Sequence, residues 1–234
     1  MKKAAIALLL LLLTNYGFGQ ITFAIKNGSK IYAAEISIEN CDNDNCEGKG
    51  VIKLFDKKTA RLFQTLTSDD LYFFLDSAQK STTNIVQLYG EQSPLQFDDF
   101  NFDGTEDLAV RNGNNSGYGG PSYDVYVYNA TKNQFVLSRE LTTLTIENLG
   151  MFRTDKRRKR LITYAKAGCC WHITTEYDVV PNKGLQKVYE FEEKALDGEF
   201  VTVTTRNLRN GKWVSRSKKY KVSDYYKEQK YDRK

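Results

Sequence analysis

Histidine is nearly missing from this 234-residue chain: His172 is the single example. A histidine-based triad or a histidine-rich zinc site would have to be built around that one side chain. The spacing of the four cysteines, Cys41, Cys46, Cys169 and Cys170, matches no zinc pattern. Nor is there a G-x-S-x-G nucleophile elbow, since the residue two before Ser116 is Asn114. No Pro/Ser-rich linker and no clean internal repeat divides the chain. Beyond the first twenty residues no stretch is apolar enough for a membrane helix, which needs about 20 such residues. Formal charge is only +5, of which Lys2 and Lys3 carry two, so overall charge does not argue for nucleic acid. The densest basic run, residues 156–160, reads as a charged turn between strands. These absences favour a protein that binds over one that catalyses.

What is present begins with an export segment. Lys2 and Lys3 precede an apolar run holding six consecutive leucines, and residues 14–20 then turn small and polar. This is the three-part layout of a secretory signal peptide over residues 1–20, and no cysteine lies nearby to carry a lipid anchor. A periplasmic or secreted location follows as the expectation, with no stable membrane insertion. In an oxidising compartment the cysteines invite disulfides. Cys41 and Cys46 enclose a turn-forming Asp-Asn-Asp-Asn stretch, and adjacent Cys169 and Cys170 admit a vicinal bridge. Pairing of each with one of the first two is equally open, because four cysteines allow three connectivities.

The body, residues 21–225, reads as β nearly throughout, with a charged tail at 226–234. Runs rich in β-branched and aromatic residues occur at 30–39, 51–55, 71–75, 85–89, 108–111, 123–128, 160–165, 173–180, 185–191, 200–206 and 213–222. In the run from Tyr123, that residue, Val125 and Val127 share one face, the period-two pattern of a strand. Asn-Gly and Asp-Gly dipeptides at 27–28, 197–198 and 210–211 are hairpin turns. A short helix is expected within 56–66. The architecture expected is a single antiparallel all-β domain, propeller-like or sandwich-like.

The most specific feature is the loop at 99–107, D-x-N-x-D-G-x-x-D. Alternate oxygen-bearing side chains can converge on one hard cation while Gly104 permits the sharp turn between them. Asp99, Asn101, Asp103 and Asp107 are the side-chain ligands expected for calcium, and Thr105 supplies a backbone carbonyl. The place of an EF-hand's bidentate glutamate falls on Val110, so strands and not helices should flank the loop. A glycine-rich stretch, 111–122, follows at once. Tyr118 in it offers an aromatic anchor with a polar tip, and a loop held between the acidic site and the Tyr123 strand would be partly ordered before meeting a partner.

Three features together, the acidic loop, Ser116-Gly117-Tyr118 leading into the Tyr123 strand, and Ala167-Gly168-Cys169-Cys170, resemble a group of secreted or periplasmic bacterial proteins. That group includes the inhibitor of a lysozyme effector of type IV secretion in plant pathogens. It is similar in fold to periplasmic inhibitors of invertebrate-type lysozyme. The resemblance covers roughly residues 84–190 and implies a calcium-binding β protein that occludes a glycoside hydrolase with an inserted loop. It implies that Ser116 and Tyr118 enter the cleft, that Gly117 permits close approach, and that Tyr123 is an alternative anchor. Here Tyr118 follows Ser-Gly directly, without the spacer such inhibitors often carry. The alternative reading is a module that binds envelope polysaccharide or protein without inhibiting anything.

Overall fold

Antiparallel hairpins, each built from the next stretch of chain, account for nearly the whole computed structural model, which describes residues 20–181 and 183–231. The expected export segment lies outside the described residues except for Gln20.

The first sheet runs in sequence order through β1 (Ile21–Ile25), β2 (Tyr32–Asp42), β3 (Asn45–Asp56) and β4 (Leu62–Phe74). Ala34, Ile36 and Ile38 of β2 fall on one face, and all three are buried. The β2–β3 turn sits at Asn43, whose left-handed backbone suits asparagine. Cys41 and Cys46 stand directly opposite each other across it and are joined. No helix forms at 56–66. Asp56 Oδ1 instead accepts the Lys58 and Thr59 amides and the Thr59 hydroxyl, which closes a turn before β4 begins. The chain turns back through Ala60, whose backbone is left-handed, and the Asp56 N–H to Arg61 O bond then pairs the end of β3 with the approach to β4.

The second sheet is β5 (Leu95–Asp98), β6 (Asp107–Arg111), β7 (Tyr123–Asn129) and β8 (Gln134–Leu137), again in order. The run at 85–89 is no strand; it contributes one isolated bridge, Val86 to Gln92. After β8 the chain forms α1 (Arg139–Glu147), which the sequence reading missed because Thr142, Thr143 and Thr145 look strand-like. Ser138 caps its start, and Leu141, Leu144 and Thr145 face inward.

The third sheet is a six-stranded meander: β9 (Arg153–Asp155), β10 (Arg160–Ala167), β11 (Trp171–Val180), β12 (Gly184–Lys194), β13 (Phe200–Arg209) and β14 (Lys212–Lys221). The basic run fills the β9–β10 turn, as expected, and three of its five cations are paired: Lys156 with Asp98, Arg158 with Asp155 and Glu176, Arg160 with Glu176 and Asp178. A helix, α2 (Val222–Tyr231), follows β14, so the tail expected from 226 begins inside an element.

Two cores meet on the middle sheet. Leu108 and Val110 of β6 pack with Ile36, Ile52, Leu54 and Phe73 of the first sheet. Ala109, between them, faces the opposite way and packs with Tyr123, Val125, Leu141, Leu144 and Leu161. All five residues of β6 are buried, which is why this short strand reads as an apolar run rather than as an alternation. Each fully buried Val, Leu or Ile side chain contributes about 1.5–3 kcal/mol. The chain is therefore all-β and antiparallel, with its first two sheets sharing one core and the acidic loop seated between two strands of the middle sheet.

Candidate binding site and acidic loop

The acidic loop joins β5 to β6. Its two aromatic residues anchor it: Phe100 is buried edge-on against Phe152 at 5.4 Å, and Phe102 packs at the rim of the second core. The backbone then doubles back through left-handed conformations at Phe102 and Gly104. Its side chains gather round the loop's own amides. Asp99 Oδ1 and Asn101 Oδ1 both accept the Asp103 N–H, at 3.1 and 3.0 Å, and Asp99 Oδ2 accepts that of Gly104. Asp103 Oδ1 accepts both the amide and the hydroxyl of Thr105, and Asp103 Oδ2 accepts from Asn101 Nδ2. Partial burial opposes ionisation of Asp103, but these donors outweigh it and hold its pKa below the usual value.

Asp107, the fourth side-chain ligand expected, ties the loop to the neighbouring strands. It is fully buried, and it accepts three backbone amides: Phe100 and Asn101 on Oδ2, Tyr128 on Oδ1. Burial pushes its pKa up to about 7 against the pull of those amides. Here it braces the loop to β7 from a fully buried position, whereas Asp99 is half-buried and Asp103 exposed. Two carboxylates and one amide side chain face the loop interior. Among the described residues no group of three or more His, Cys, Asp or Glu is arranged around a metal position.

The glycine-rich loop is closed by its own backbone. Asn112 N–H reaches Ser122 O at 2.9 Å, Ser122 N–H reaches Gly113 O at 3.0 Å, and Ser116 N–H reaches Gly120 O at 3.1 Å. Below it lies buried Arg111, stacked 4.9 Å from the Tyr72 ring and hydrogen-bonded to Asn114 Oδ1. Desolvation lowers the pKa of that guanidinium. Residues Gly117–Gly119 make one 3-10 turn, and Gly117 N–H is tied to Asn148 O just beyond α1.

Of the four residues expected to meet a partner, the structure brings only Gly117 and Tyr118 to the surface. Tyr118 is 64% exposed, with backbone angles φ 60 and ψ 28. Tyr123 is wholly buried, its hydroxyl donating to Ser93 O at 2.8 Å, and burial drives its pKa sharply up. It is a core group, because β7 turns that face toward α1. Ser116 is also buried, its hydroxyl without a hydrogen-bond partner among the described residues. It lies under the loop, where a Cβ at Gly120 would come within 2.8 Å of Ser116 Oγ.

Two residues that the sequence reading missed complete the surface. Lys166 Nζ lies 4.7 Å from the Tyr118 ring centre and 4.8 Å from that of Tyr89, which is 66% exposed. The three border a cleft of about 260 Å³ lined also by Leu149 and Pro121. Nothing local in the sequence marks Lys166, since its role depends on β10 meeting two distant loops. Tyr118 also accepts the Gly168 amide through its hydroxyl. Gly168 opens the β10–β11 turn, where Cys169 and Cys170 are joined to each other, the vicinal one of the pairings left open.

No protein-family model matches the sequence, and no curated protein is similar to it. Among solved structures, the chain is similar to one described as the structure of a Xanthomonas type IV secretion system related protein. The TM-score is 0.65 at 24% identity, over 87% of this chain and 95% of that one. Such an identity speaks for the fold, and the likeness spans nearly all of both chains, so this chain shares the fold of a type IV secretion system related protein.

Proposed function

We propose that this protein is an exported, stoichiometric inhibitor of a lysozyme-type peptidoglycan hydrolase, with calcium as a structural ion and no turnover of its own. The observation that carries the reading is Tyr118: an exposed ring on a strained backbone, held in place by hydrogen bonds on both sides of its loop. A loop ordered beforehand loses little entropy when it enters a cleft. The resemblance carried by residues 84–190 implies the same role, and the structural neighbour's own description concerns a secretion system. Two disulfides suit an oxidising compartment.

Calcium fits the donor chemistry of the loop. Asp99, Asn101 and Asp103 would hold it with the Thr105 carbonyl, exchanging amide hydrogen bonds for the ion, while Asp107 serves as brace. Bound there, a hard divalent cation would neutralise the clustered carboxylates and stiffen the link between β5 and β6.

The test is titration of the mature protein into cell-wall digestions by chicken-, goose- and invertebrate-type lysozymes, with calcium and with chelator. Saturable one-to-one inhibition of one of them, lost in Tyr118→Ala, is the expected result. Inhibition of none of them, by folded and calcium-loaded protein, ends this reading. A second reading rests on the exposed rings of Tyr89 and Tyr118, which suit sugar stacking. It predicts retention on insoluble cell-wall polysaccharide with no effect on any hydrolase.

A further inference from the structure

We infer that Lys166, presented between Tyr89 and Tyr118, is the group that receives a carboxylate of the inhibited hydrolase's cleft. The inference rests on the inhibitor reading and names the chemistry of its contact.

Four observations meet at this spot. Tyr89 and Tyr118 both have left-handed backbones, at φ 60. That conformation is uncommon for a bulky residue and persists only where surrounding structure enforces it. Both rings are exposed despite that strain, so burial does not compensate for it. The rings come from separate segments, one from the turn bounded by the Gln87 N–H to Glu91 O bond and one from the glycine-rich loop, and both converge on one ammonium. Lys166 itself forms no ion pair with an acid among the described residues, although lysines nearby do, Lys194 with Glu192 for example. Directly across the sheet from it stands His172, and next in that row Glu193, which accepts the Tyr225 hydroxyl at 2.6 Å.

Ring faces attract the ammonium and fix its position without neutralising it. Its donors therefore remain available to an incoming anion. The Tyr118 hydroxyl accepts from Gly168, which leaves its own hydrogen to donate alongside. Leu149 and Pro121 at the cleft would exclude water from such a contact. A glycoside hydrolase of the expected class works through a pair of Asp or Glu side chains in its own cleft. Closing an apolar rim over those carboxylates is costly unless a cation or strong donors meet them. Lys166 with Tyr118 supplies both, and charge complementarity thus selects the acidic pair as the occupant.

The experiment measures the affinity of the full mature chain for the lysozyme it inhibits, with variants of both partners. Lys166→Met should weaken binding about tenfold or more, and Lys166→Arg should stay within about threefold of wild type. Lys212→Glu, on the exposed edge strand, serves as the charge control and should leave affinity unchanged. Replacing a catalytic acid of the lysozyme by its amide should cost wild type affinity and leave Lys166→Met nearly indifferent. Inhibition with equal affinity by wild type and a folded Lys166→Met overturns the inference and leaves the inhibitor reading standing. Absence of inhibition by folded wild type removes both.

Discussion

At the scale of single residues, the polar groups that matter most are those buried with their partners. Thr145 is fully buried on α1, and its hydroxyl accepts the Tyr123 amide at 2.9 Å, stitching the helix to the middle sheet. Thr145→Val keeps the shape and leaves that amide without a partner, so it should cost about 1–3 kcal/mol in urea denaturation. Glu192 is the hub of a second network, contacted by Trp171 Nε1, Lys194 and Arg206. Burial opposes its ionisation, yet those donors prevail and hold its pKa down to about 2 from 4.5. A carboxylate with a depressed folded pKa stabilises above its unfolded value and loses that contribution as pH falls through the folded one. The melting temperature should therefore drop between about pH 4.5 and pH 2, and Glu192→Gln should flatten that part of the curve.

At the scale of elements, the acidic loop is the part that an ion would change most. Any ligand that binds the folded state alone raises stability by mass action. With affinities ordinary for extracellular modules, about 10 mM calcium should add about 1–3 kcal/mol, seen as a melting temperature a few degrees above that in chelator. Asp99→Ala or Asp103→Ala should erase the difference, whereas magnesium at the same concentration should give little, since it demands a smaller and more regular shell. An unchanged melting temperature would leave the loop as an acidic turn held by its own amides. Elements also show where local reading failed. The helix expected within 56–66 gave way to a turn through the left-handed Ala60, and α1 went unread because its three threonines weaken the helical pattern. In both cases the deciding interaction, a cross-strand pairing or a buried face, is weak as a sequence pattern and strong in three dimensions.

For the whole molecule, the decisive feature is the middle sheet, which serves both cores. A void at Val110 removes packing from the first core in the strand that also backs the second. Val110→Ala should cost about 1–3 kcal/mol and shift one cooperative transition as a unit. Two separate transitions would instead show the third sheet unfolding by itself, since Leu161, Tyr177, Val179 and Leu185 are its links to the second core. The outermost strand, β14, is exposed along nearly its whole length and carries Lys212, Arg216, Lys218, Lys219 and Lys221. Those charges discourage edge-to-edge pairing with another chain.

The sequence alone determined the class of the fold, because β-branched and aromatic runs punctuated by Asn-Gly and Asp-Gly turns have few other solutions. It also located the acidic loop between two strands and the loop that presents Tyr118, since both are contiguous patterns with local chemistry. Sidedness lay beyond it. That Tyr123 and Ser116 point inward while Tyr118 points out depends on which face of β7 meets α1 and on how Gly120 lets the loop close over Ser116. Which cysteines pair also waited on the fold, because the two cysteine pairs lie on turns of different sheets and so each closes locally, Cys41 with Cys46 and Cys169 with Cys170. Lys166 between Tyr89 and Tyr118 was the least legible of all, being a meeting of three segments 29 to 77 positions apart that only the packing of the sheets brings together.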